Sequence, residues 1–81
     1  MRAYLRVGFF VSGAMMQVKI NGSVVEIPDG CSLEELMLAR KVSARAAITE
    51  LNGEVIRPER RAKTKLNPND KLEIIHILGG G

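Results

Sequence analysis

Gln17–Met37, QVKINGSVVEIPDGCSLEELM, is the stretch that decides the fold. Its first half alternates: Val18 and Ile20 share one face, and after Asn21-Gly22 so do Val25 and Ile27. Apolar residues at every second position mark a half-buried strand. Asn-Gly between two such runs calls for a tight turn with positive φ at both central residues, a conformation that Asn tolerates and Gly adopts freely. Gln17–Asn21 and Val24–Ile27 are therefore predicted to form a β-hairpin, closed off by Pro28-Asp29-Gly30. At Ser32 the period changes. Ser32 followed by Glu35 has the spacing of a capping box, and Cys31 and Leu36 have that of a hydrophobic staple. Leu33, Leu36 and Met37 then make one apolar helical stripe. The helix is expected to fade near Arg40-Lys41, where positive charge complements the helix dipole.

Further along, Ala46–Leu51 reads as a third strand, Asn52-Gly53 as a second tight turn, and Glu54–Ile56 as a short fourth strand. Pro58 to Asn69 is polar and reads as irregular. Pro68-Asn69-Asp70 is a turn, and Lys71–Ile77 a last strand with Leu72 and Ile74 inward. Two hairpin-like pairs, one helix between them and a closing strand are most economically arranged as one helix across one sheet. The expected fold class is α+β, a β-grasp or ubiquitin-like domain. Its mixed sheet has four to five strands, with the first and last strands of the domain side by side and parallel at its centre. The domain is assigned to residues 16–78. Residues 1–15 are an extension, either a start called too early or a real appendage that is disordered or added as an edge strand, and 79–81 form a flexible glycine tail.

The chain has 81 residues, enough for one domain. A domain of this size buries only roughly 60% of its unfolded surface, which leaves little room for a deep substrate cleft. With no Trp, one Tyr and two Phe, aliphatic side chains must fill the core. A single cysteine, Cys31, allows no internal disulfide and fits a reducing compartment. It also excludes an iron–sulfur cluster held by four thiolates. Arg2 and Arg6 account for much of the +3 net charge; the rest of the chain carries ten basic and nine acidic residues. So even a balance disfavours general nucleic-acid binding. No run approaches the ~20 apolar residues of a membrane span. Val7–Val11 is too short for a secretory core. A cytoplasmic protein without nucleic-acid or membrane partners is expected.

Taken alone, Gly79-Gly80-Gly81 reads either as a frayed end or cloning scar or as the part that carries the chemistry; the fold pattern before it favours the second. Glycine contributes nothing to a core and loses the most backbone entropy on ordering, so three in succession after a strand make a narrow tail able to thread a channel too tight for any side chain. Its end is a carboxylate, a poor electrophile until ATP converts it to an acyl-adenylate. A sulfur nucleophile on a partner can then displace AMP and leave a thiocarboxylate. Gly81 is the expected attachment point and Gly79 and Gly80 the threading segment. No catalytic residue, resident cofactor or metal ligand is expected in the chain itself; pocket, Mg²⁺ and nucleophile belong to the partner.

The sequence resembles the ThiS family, the sulfur carriers of thiamine biosynthesis. The resemblance covers Met16–Gly81 and rests on Val18-Lys19-Ile20-Asn21-Gly22, Pro28-Asp29-Gly30, Glu50-Leu51-Asn52-Gly53-Glu54-Val55, Asp70-Lys71-Leu72-Glu73-Ile74-Ile75-His76 and the glycine terminus. It implies a carrier, not an enzyme, with three partners: a ThiF-like E1 adenylyltransferase that spends ATP on Gly81, a sulfur-donor enzyme, and a ThiG-like thiazole synthase that receives the sulfur. Residues 1–14 depart from the family. The small subunit of molybdopterin synthase (MoaD) shares fold and tail, but usually runs longer between the helix and the last strand. A ubiquitin-like modifier or plain interaction module is the remaining alternative.

Strand phase sends Glu73, Ile75 and Ile77 outward on the last strand and Ile48 outward on the third. Ile48, Ile75 and Ile77 are thus expected to form an exposed apolar patch beside the tail, the usual mark of a partner surface. His76 lacks a partner and a cleft for general-base work and reads as a packed neck residue; no second His or Cys stands nearby for a metal. Cys31 reads as a buried staple residue. Arg57, Arg60, Arg61, Lys63 and Lys65 read as a solvated basic loop, with docking of an acidic partner or RNA as the minority reading; the stretch lacks aromatic stacking residues.

Overall fold

The computed structural model describes residues 3–4 and 14–77. The strands are β1 (Ala3–Tyr4), β2 (Met15–Ile20), β3 (Ser23–Pro28), β4 (Ala47–Leu51), β5 (Glu54–Ile56) and β6 (Lys71–His76), with one helix, α1 (Leu33–Ala39). They form a single mixed sheet in the order β1-β3-β2-β6-β4-β5. β2 and β6 run parallel at its centre, and β6 is antiparallel to β4 on its other flank. The two-residue β1 adds to the outer edge of β3 in parallel. Without it the sheet has the five strands of a β-grasp domain. β2 begins at Met15, opposite Pro28, one residue inside the segment assigned to the extension.

The turn chemistry is as the sequence dictates. Asn21 and Gly22 have φ of 50° and 85°, and Asn52 and Gly53 have 53° and 87°. Both asparagines do more than turn the chain: they clamp β6 from its two sides. On the β2 side, the Asn21 backbone N–H donates to the Leu72 carbonyl and its side-chain amide bonds the Ile74 backbone. On the β4 side, the Asn52 N–H donates to the Lys71 carbonyl. Its Oδ1 accepts from the Lys71 N–H, and its Nδ2 donates to the Asp70 carboxylate.

α1 starts with the predicted capping box: Glu35 N–H donates to Ser32 Oγ at 3.1 Å, and Ser32 N–H to Glu35 Oε1 at 2.8 Å. Cys31, Leu33 and Leu36 are fully buried. The helix ends in a Schellman arrangement, with Val42 N–H donating to the Met37 carbonyl and Lys41 N–H to that of Leu38. The left-handed position, usually glycine, is Lys41 at φ 58°. The core lies between α1 and one sheet face: Val18, Ile20, Val25, Ile27, Leu36, Leu66, Leu72 and Ile74 are all buried.

Three readings of the sequence are corrected. Pro58–Lys63 is not irregular but a 3₁₀ helix. Within it Arg61 is not solvated: it is buried at 3% exposure. Its guanidinium donates to the carbonyls of Ala47 (2.7 Å) and Ala44 (3.0 Å) and to Thr49 Oγ1 (3.3 Å). Thr49 in turn donates to the Ile56 carbonyl. Burying a guanidinium is tolerable only when its donors are satisfied, and the carbonyls at the start of β4 satisfy them. Ala44–Ala46 forms a 3₁₀ turn, so the third predicted strand starts one residue late, at Ala47.

Candidate functional site

Alternation along β6 puts Leu72 and Ile74 in the core and turns Lys71, Glu73 and Ile75 outward. Ile48 on β4 lies directly opposite Ile75. Exposures of 40% for Ile48, 45% for Ile75 and 49% for Ile77 are high for isoleucine. Strand phase thus brings the three predicted residues to one face, at the end where the chain leaves the sheet. Ile77 is held there by its N–H, which donates to the Ala46 carbonyl at 2.7 Å. Next in the chain come Leu78 and Gly79, Gly80 and Gly81; these lie outside the described residues.

Sequence reasoning missed a further member. Val55 on β5 pairs with Glu50 on β4 and so faces the same way; it is 57% exposed. The outward phase of Glu50 across the Asn52-Gly53 turn was the signal for it. Beside this patch runs an open groove of about 510 Å³, with Ala44, Ile48, Val55 and Ile77 among its apolar lining and Arg45 and Arg57 among its charged lining. The groove and the patch share Ile48, Val55 and Ile77, so tail exit, groove and apolar face are one continuous surface.

His76 is exposed, contrary to the packed position expected. It occupies the last rung of the sheet, opposite Ala47, two residues past Ile74, the last buried residue of β6. Arg57, Arg60, Lys63 and Lys65 are exposed. Arg57 Nε lies 3.7 Å from Glu59 Oε2, an ion pair in open solvent that contributes little. Among the described residues, no group of three or more His, Cys, Asp or Glu could hold a metal ion.

Cys31 has no nucleophilic setting. It is fully buried, and its thiol is pushed up from 9.0 to about 11 by burial first and the Glu35 carboxylate second, with Lys65 pulling the other way. A reactive cysteine needs the opposite, a lowered pKa and access to solvent. The described residues at this end of the sheet therefore offer an exposed apolar surface and a groove.

Comparison with known proteins bears on this arrangement. Residues 16–81 match the ThiS family. The sulfur carrier protein ThiS of Bacillus subtilis (strain 168) is 31% identical over 65 residues, which span 79% of this chain and 98% of that protein. The crystal structure of the thiamine biosynthesis protein ThiS from Geobacter metallireducens superposes with a TM-score of 0.72 at 32% identity, covering 82% of this chain and all of that one. A solution NMR structure of a thiamine biosynthesis protein from the same organism gives 0.68 at 35% identity, covering 82% and 88%.

Proposed function

The chain belongs to the ThiS family, the sulfur carriers of thiamine biosynthesis, and on that premise we propose that its cargo rides on the carboxylate of Gly81. A carboxylate oxygen of Gly81 attacks the α-phosphorus of ATP bound to a ThiF-like adenylyltransferase, and pyrophosphate leaves. A hydrosulfide equivalent from a sulfur-donor enzyme then attacks the acyl carbon, and AMP leaves. The resulting thiocarboxylate delivers its sulfur to a ThiG-like thiazole synthase in the cytoplasm. The chain is co-substrate to these enzymes and not itself a catalyst; ATP is bound by the partner.

One observation carries this reading. β6, the strand that leads to Gly79-Gly80-Gly81, is clamped on both flanks by Asn21 and Asn52, and Ile48, Ile75 and Ile77 stand exposed where it ends. A rigid sheet that offers an apolar face beside a glycine terminus fits a protein whose end is handled by others. Unlike a cleft, it allows successive partners to use the same surface.

Incubating the full chain with a ThiF-type adenylyltransferase, ATP and a sulfur source, followed by intact mass spectrometry, tests it. The expected product carries one sulfur in place of one oxygen, and deleting Gly81 abolishes the change without altering the fold. An isopeptide conjugate to a lysine would instead identify a protein modifier, and an unchanged mass would reject activation at Gly81.

A further inference from the structure

The guanidinium of Arg61 stands where a neighbouring strand would otherwise be. β5 pairs with β4 only as far as Ile56, opposite Thr49. Continued by two residues, that register would set Pro58 opposite Ala47. Proline has no N–H to give a ladder, and the chain turns into its 3₁₀ helix at this point. The Ala47 carbonyl would then face the interior unpaired, which is costly for a buried backbone group. Arg61 supplies the missing donor at 2.7 Å, and its other terminal nitrogen reaches the Ala44 carbonyl at 3.0 Å. Ala44 and Ala47 bracket a 3₁₀ turn. Inside that bracket the Ala46 carbonyl turns the other way, toward β6, and accepts from the Ile77 N–H at 2.7 Å. Among the described residues this is the backbone bond nearest the C-terminus. Only Leu78, Gly79, Gly80 and Gly81 follow it, a reach of at most roughly 14 Å.

We propose that Arg61 is a positioning residue for the activation of Gly81. By holding the turn that carries Ala46, it fixes the point from which the tail leaves the sheet, and so where the Gly81 carboxylate meets the α-phosphorus of ATP. This rests on the reading of Gly81 as the activated residue. Arg61 touches neither ATP nor the carboxylate; it acts through Ala46 and Ile77. Three glycines give a segment little stiffness of its own, so the tether sets where its end can go. When the tether is lost, Ile77 and His76 join the free segment. The carboxylate then spreads over a larger volume and its effective concentration at the nucleotide falls. A misplacement of about 1 Å at reacting atoms can cost on the order of a hundredfold in rate. Ile48 and Ile75 keep their rung, because it lies nearer the middle of β4 and β6. The loss therefore falls on kcat rather than on KM for the carrier.

The test is ATP–pyrophosphate exchange by a ThiF-type adenylyltransferase with the full chain as co-substrate. The variants are R61M, R61K, and I77P read against I77A; I77P removes the tethering N–H and leaves Arg61 in place. C31A, destabilised at the start of the helix, is the control for lost stability alone. R61M is expected to lower kcat by about tenfold with KM for the carrier within about twofold of the parent. I77P should do the same relative to I77A. R61K keeps a charged donor for the Ala47 carbonyl and should retain most of kcat, while C31A should retain all of it at temperatures where it is folded. The Ile77 amide should exchange with deuterium at least about tenfold faster in R61M. Where R61M does not fold, the comparison of I77P with I77A decides. Normal exchange with the wild-type chain but an unchanged kcat in the folded R61M and I77P variants overturns the positioning role alone. No exchange with the wild-type chain overturns the activation of Gly81 and this proposal with it.

Discussion

The side-chain amide of Asn21 acts as one more residue of β2: it accepts from the Ile74 backbone N–H at 2.8 Å and donates to the Ile74 carbonyl at 3.2 Å. The parallel ladder between β2 and β6 therefore continues after the backbone has turned away. Asn21→Gly keeps the positive φ and removes only these bonds. It should lower stability by about 1–2 kcal/mol, read from the urea midpoint. A variant as stable as the parent would mean that solvent replaces the amide at no cost.

Arg61 and Arg60 are neighbours with opposite fates. Arg61→Met should cost about 3 kcal/mol or more, because the carbonyls of Ala44 and Ala47 and the Thr49 hydroxyl lose a shared charged donor in a buried place. Arg60→Met, at an exposed position, should stay within about 0.5 kcal/mol of the parent. Denaturant titration of both variants checks the contrast, and equal effects would contradict the buried role of Arg61.

Ile48→Asp separates surface from core. Ile48 points away from the helix, so the variant should fold, with a loss of about 1 kcal/mol for aspartate in a strand. Adenylation by a ThiF-type enzyme should fall at least about thirtyfold if the apolar face docks the partner, the scale of losing a central interface residue. Circular dichroism together with the exchange assay reads both. An unfolded chain would place Ile48 in the core, and full activity would take it out of the interface.

Alkaline pH should weaken the fold through Cys31. The thiol loses its proton near 9.0 when unfolded and only near 11 when folded. Above about pH 9 the unfolded state therefore binds fewer protons, and stability falls as pH rises from 9 toward 11; below 9 the contribution is intact. Cys31→Ala should be less stable at neutral pH, because it leaves a cavity, yet should show a flatter decline over that window. Denaturation midpoints for both proteins at several pH values decide it; parallel slopes would exclude the thiol as the cause.

Much of the architecture was legible because it is written in local rules. Asn21-Gly22 and Asn52-Gly53 can make few other turns between alternating strands. Ser32 with Glu35 announces a helix start, and a period of two assigns Ile48 and Ile75 to the face opposite Leu72 and Ile74. Other features had no local signal. Lys41 takes a left-handed conformation normally left to glycine, because Met37 and Leu38 offer carbonyls that the chain can reach only in that way. His76 was read as packed because neither a partner nor a cleft spoke for general-base work, but it lies at the last rung, past the buried stretch of β6.

By itself, then, the sequence determined the order of elements, their inward faces and the glycine terminus, since these depend on neighbours within a few residues. Only the tertiary structure decided which guanidinium of Arg60-Arg61 enters the interior, and that glutamate meets glutamate and lysine meets lysine across β6. Those outcomes depend on strand register and on which carbonyls remain unpaired at the start of β4. Neither exists until residues far apart in the chain have come together.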